Sequence, residues 1–128
     1  MKKIIVTTIS VLFVTALLAT AWAADSKKGE ASFKNPEFAG GTKGKSCWTC
    51  HENGDGLGKD LFTGTEYTIM GMEKKSLADV VNVCIERPLG GKAIDTKGEE
   101  MADVLAYMKE LVEKPKKKMK KTKAIEGC

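Results

Sequence analysis

The chain is poor in what most catalytic sites are built from. It has one histidine, His51, in 128 residues, so no histidine pair or histidine-rich metal cluster can form within it. No pairing of side chains stands out as a general acid and base, and the chain reads as a non-enzyme. Aromatics are 6% of the residues, and no basic stripe is interleaved with them, which argues against a nucleic-acid surface. Prolines are three, Pro36, Pro88 and Pro115, each at an expected boundary between elements. Long apolar runs are scarce too. There is one, Ile4 to Leu18.

That run follows Met1-Lys2-Lys3 and precedes Ala21-Trp22-Ala23. A charged start, an apolar stretch and a small-x-small site are the parts of a secretory leader in their working order. Residues 1–23 are expected to be removed after Ala23, with export across the cytoplasmic membrane to a periplasmic or equivalent bacterial compartment. The competing reading is an uncleaved anchor, although the run lies near the lower limit of about 17–20 residues for crossing a bilayer. Residues 24–128 then form one small domain with a tail. Residues 24–113 carry 12 basic and 16 acidic side chains, whereas residues 114–128 carry 7 lysines against Glu126. The body is acidic and the tail basic. Such a tail is expected to be mobile, and it offers a dock for an acidic redox partner.

The most informative stretch is Cys47-Trp48-Thr49-Cys50-His51. Two cysteines three apart and an adjoining histidine are the attachment pattern for c-type haem. The spacing lets each thiol add to one haem vinyl group, while the imidazole is held beneath the iron as proximal ligand. Half a zinc site and a thioredoxin-like thiol pair compete with this reading. Zinc, however, wants four N or S ligands, and the remaining cysteines are distant, at Cys84 and Cys128. A thiol pair has no use for His51 and belongs in a βαβ setting. One covalent haem is therefore expected. A chain this short has a thin core, and a porphyrin would supply much of the missing apolar contact, so the haem-free chain is expected to fold poorly.

Around the motif the pattern is helical. A short helix is expected near Lys28–Phe33, with Phe33 and Phe38 as core anchors, then a glycine-bearing loop and a helix over Lys45–Glu52. Asn53-Gly54-Asp55-Gly56-Leu57-Gly58 is turn chemistry, with too few alternating acceptors for a calcium loop. Residues 59–75 read as an irregular wrap whose apolar contacts are Leu61, Phe62, Tyr67, Ile69 and Met70. Ser76 with Asp79 opens a helix ending before Pro88, and Leu77, Val80, Val81 and Cys84 share its inward face. Thr96 with Glu99 opens the last helix, which runs to about Glu113. Its stripe is Met101, Val104, Leu105, Met108, Leu111 and Val112, with Tyr107 beside it. An all-α fold wrapped around one cofactor is the expected architecture.

This order of elements resembles class I cytochrome c over nearly all of residues 25–113. Met101-Ala102-Asp103-Val104-Leu105-Ala106-Tyr107-Met108-Lys109 is similar to that family's C-terminal helix, where the aromatic packs on the N-terminal helix. The family usually places a methionine ligand on the loop before that helix. Here Pro88-Leu89-Gly90-Gly91-Lys92-Ala93-Ile94 has none. Met70 and Met72 come early, Met101 and Met108 belong to the helix stripe, and Met119 lies in the tail.

Cys84 is the remaining candidate for the sixth position, against the plain reading of a small buried hydrophobe. Cys84-Ile85-Glu86-Arg87-Pro88 with Tyr107 resembles the cysteine-bearing segment of sulfur-oxidation SoxA cytochromes. It is still more similar to the small monohaem cytochromes of anaerobic ammonium-oxidising bacteria, the NaxL/NaxS type. That resemblance implies His51/Cys84 ligation, a second small cytochrome subunit as heterodimer partner, and NO or CO as ligands of the ferrous state. A thiolate favours ferric iron, so a low potential is expected. Arg87 is either a propionate partner, a partner for Glu86, or a solvated residue. Cys128 is a leftover thiol suited to pairing with another chain, and a Cys84–Cys128 disulfide would cancel ligation. The alternatives are a His/Met electron carrier using Met70 or Met72, and a sulfur-compound enzyme with a persulfide on Cys84.

Overall fold

The computed structural model describes residues 23–114. The leader reading falls outside them except for Ala23, as do the basic tail beyond Lys114, Met119 and Cys128. The described residues are mostly helical, with four helices and one small two-stranded sheet. None of these helices is long and apolar enough to cross a membrane.

Helix α1 spans Ser26–Lys34 and begins two residues earlier than its sequence pattern suggests. The cause is Asp25, whose carboxylate accepts the backbone N–H groups of Lys27 and Lys28 and so caps the first turn. Helix α4 spans Glu99–Glu113, three residues short of the expected start at Thr96. Asp95 explains the difference. Its side chain accepts the Lys97 N–H at 2.9 Å and its carbonyl the Gly98 N–H at 3.0 Å, making a turn that occupies the residues a Thr96 cap would need. Glu99 and Glu100 then sit in the first turn, where the helix dipole favours them.

Helices α1 and α4 pack so closely that Gly29 has no room for a side chain. A Cβ there would collide with the backbone carbonyl of Asp103. One turn on, Phe33 meets Tyr107 edge to face, with ring centroids 5.4 Å apart at 67°. The buried Asp103 carboxylate accepts the Asp25 N–H at 2.6 Å, fastening the start of α1 to α4. Tyr107 is thus a core residue, and of the expected stripe Leu105 and Val112 are only half-buried.

Between these helices come a 3-10 turn at Phe38–Gly40, the single-turn helix α2 (Cys47–Cys50), and a second 3-10 turn at Glu52–Gly54. The stretch read as an irregular wrap contains a hairpin, β1 (Tyr67–Ile69) with β2 (Met72–Lys74), pairing Tyr67 with Lys74 and Ile69 with Met72. Its two-residue turn, Met70-Gly71, has both φ angles positive, 49° and 76°, as a tight antiparallel hairpin requires.

Helix α3 spans Leu77–Glu86 and starts as its cap predicts: the Asp79 N–H donates to Ser76 Oγ at 3.1 Å, and the Ser76 hydroxyl to the Asp79 carboxylate at 2.6 Å. Its burial is wider than one stripe, since Ile85 is buried as well as Leu77 and Val81. The reason is the loop after it. Asn82 clamps Ile94, donating to its carbonyl and accepting its N–H, both at 2.9 Å. Gly91 donates to the Ile85 carbonyl, Lys92 to that of Ala39, and Thr42 and Lys43 to that of Leu89. The loop is therefore folded back onto the Asn82 and Ile85 flank of α3.

Candidate functional site

Helix α2 is one turn rather than the longer helix expected over Lys45–Glu52. The Ser46 N–H donates to Thr49 Oγ1 at 3.0 Å and closes the turn at its start. At its end Asn53 and Gly54 both have positive φ, 52° and 78°, which no helix can continue through. His51 stands between the two turns, and its N–H still donates to the Cys47 carbonyl at 2.9 Å. Trp48, inside the motif, is held from the other side by Lys34, whose ammonium lies 4.4 Å from the ring centroid. Lys34 is itself paired with Glu30 at 2.6 Å. The motif is fastened to α1 by these contacts.

The His51 ring is oriented by its own chain. Its Nδ1 lies 2.9 Å from the backbone carbonyl of Asp55. A carbonyl only accepts, so Nδ1 is the donor, and in the neutral ring the lone pair is on Nε2. That is the form of an imidazole prepared to bind a metal.

Cys47, Cys50, His51 and Cys84 all line one cavity of about 610 Å³. Its size lies within the range of about 300–1,000 Å³ that small-molecule and cofactor sites occupy. Its walls are apolar: Leu57 and Leu61 follow the motif, Leu77 and Val81 come from α3, and Val104 and Met108 from α4. Tyr67, Ile69 and Met70 close it from the hairpin. The Tyr67 hydroxyl, shared between the carbonyls of Leu61 and Gly64, holds the hairpin against the preceding segment. Phe62 lies outside the lining and is exposed, so it is not among the contacts expected of residues 59–75. Met72 and Arg87 also lie outside it.

Burial pushes the Cys47 thiol up to about 11, with Cys84 the next cause. Burial also raises Cys84, and Cys50 adds to the effect. Each neutral thiol is thus favoured by an apolar wall and by the other sulfurs facing it. Among the described residues no three His, Cys, Asp or Glu side chains are grouped to hold a metal ion. The only described sheet is antiparallel, so the βαβ setting of a thioredoxin-like pair is not formed there either.

The motif and the inward position of Cys84 are legible in the sequence, whereas the contacts that orient them are less so. The Asp55 carbonyl is not legible there, since every residue type carries one and no pattern reveals its partner. Nor is Asn82, whose clamp on Ile94 joins residues twelve apart. Compared with protein-family models, with curated proteins and with solved structures, the chain matches none.

Proposed function

We propose that this cavity takes one haem, with Cys47 and Cys50 as thioether anchors and His51 Nε2 and Cys84 Sγ as axial ligands, in a class I-like cytochrome c. The observation that carries the reading is the imidazole with Nδ1 committed to Asp55, set in the same apolar cavity as three cysteines. The donor chemistry fits. Two axial donors fall short of a metal site made by protein alone, and a planar ring with four nitrogens supplies the remainder. Bound haem supplies a one-electron iron centre and, when reduced, a place for NO or CO.

The chain's part is to hold and to exclude. Cys47 and Cys50 fix the ring edge beside α2. The Asp55 carbonyl keeps the His51 proton on Nδ1 and raises the basicity of Nε2. Cys84, on a helix pinned by Asn82, presents sulfur without loop movement, and as thiolate it lowers the potential relative to a His/Met pair. The apolar walls keep water from the ring. The protein is then an exported, low-potential haem protein that binds diatomic gas or passes electrons, working with a second small cytochrome subunit.

Cys84→Ala tests the assignment. The ferric absorption spectrum is expected to lose its thiolate character, and an unchanged spectrum rejects Cys84 as ligand. A second reading, His/Met ligation, is favoured for Met70 alone because Met70 lines the cavity and Met72 does not. The weak long-wavelength band of ferric iron–thioether bonding would decide for it.

A further inference from the structure

Met70 is an unusual residue for its place. It occupies the first central position of the β1–β2 turn with φ 49°, where Asn, Asp or Gly is the ordinary choice. It is 52% exposed, the most exposed of the large apolar side chains described. It nevertheless lines the cavity that His51 and Cys84 share. The hairpin that carries it packs against α3, the helix that carries Cys84. A backbone position that disfavours methionine, and a side chain neither buried in the core nor turned away from the cavity, point to use of the sulfur.

Resting on the haem reading above, we propose that Met70 is a second, redox-selected axial donor that replaces Cys84 when the iron is reduced. The two sulfurs differ in charge. An anionic thiolate suits ferric iron, and a neutral, soft thioether suits ferrous iron. An external one-electron donor reduces the iron. Cys84 Sγ releases it and takes one proton from solvent, and a lone pair of Met70 Sδ makes the new bond. One electron and one proton enter, one iron–sulfur bond breaks and one forms. Methionine has the rotatable bonds for such an exchange, and α3 need not shift, since only the hairpin tip and two side chains rearrange. Met70 also becomes a competitor for incoming gas. If it holds the ferrous iron nine-tenths of the time, roughly, the apparent CO affinity drops about tenfold.

The test uses haem-loaded protein and the variants Met70→Leu, Met72→Leu and Cys84→Ala. Resonance Raman and absorption spectra report coordination number in each oxidation state. Stopped-flow mixing with CO reports access to the ferrous iron. Wild type is expected to be six-coordinate in both states. Met70→Leu is expected to keep the wild-type ferric spectrum, become five-coordinate when reduced, and bind CO about tenfold more tightly. Met72→Leu should match wild type throughout. A five-coordinate reduced wild type, or a Met70→Leu protein identical to wild type, overturns the exchange and leaves His51/Cys84 ligation standing. If Cys84→Ala leaves the ferric spectrum unchanged while Met70→Leu alters it, Met70 is the ligand in both states, and both this inference and the reading beneath it fall.

Discussion

The two halves of the molecule are closed by different means. Where α1 crosses α4, the chain fills its own interior: Gly29 admits the neighbouring backbone, Phe33 meets Tyr107, and Met101 is wholly buried. Between α2, the hairpin and α3 the same chain leaves a hollow of about 610 Å³ with apolar walls. Interiors are normally packed to crystal density, and a space that size lined by Leu and Val has the dimensions of a small-molecule site. The contrast teaches that the α1–α4 side closes its own core, whereas the other side keeps an apolar cavity.

Four substitutions break or sharpen that contrast. Gly29→Ala should be the most damaging, because its Cβ meets a backbone carbonyl that cannot yield without parting α1 from α4; more than about 3 kcal/mol is expected, read as loss of helical signal in a thermal melt. Met101→Ala empties a fully buried site on the packed side and should cost about 2–5 kcal/mol by denaturant titration. A smaller loss, about 1–3 kcal/mol, is expected for Asn82→Ala, which orphans both polar groups of Ile94. Hydrogen exchange at the Ile94 amide should rise with it, and an unchanged rate there would show that the clamp does not hold the loop. Val80→Leu adds a methylene facing the hollow and should change the stability of the chain by less than about 1 kcal/mol, while, on the proposed haem reading, lowering haem incorporation measured by absorbance. If Val80→Leu proved as harmful as Gly29→Ala, the difference between the two halves would be wrong.

Ionisation adds a pH dependence on the open side. Burial raises the Cys47 thiol from an ordinary 9.0 to about 11. The unfolded chain therefore loses its proton first. Stability is undiminished below about 9 and declines as pH rises toward about 11.

Some of this was legible residue by residue. Ser76 and Asp79 announce a helix start because a hydroxyl and a carboxylate beside bare N–H groups satisfy them locally. Thr96 and Glu99 carry the same signal and fail, because Asp95 competes for the same stretch of backbone. The hairpin was missed since its strands are three residues each and its turn is Met-Gly rather than Asn-Gly. Phe62 was placed inward by hydrophobicity alone, which says that a side chain prefers burial but not that the fold has room for it.

What this sequence determined by itself is whatever acts over a few bonds: the cysteine spacing with its neighbouring imidazole, the cap at Ser76, the apolar period of the helices, and the absence of a loop methionine. Only the tertiary structure could decide that Cys84 and Met70 share one cavity with His51, that Asp55 lends the imidazole a carbonyl, and that Gly29 is a contact rather than a weakness in α1. Those are distances between residues far apart in the chain or between backbone groups common to every residue, and no local pattern encodes them.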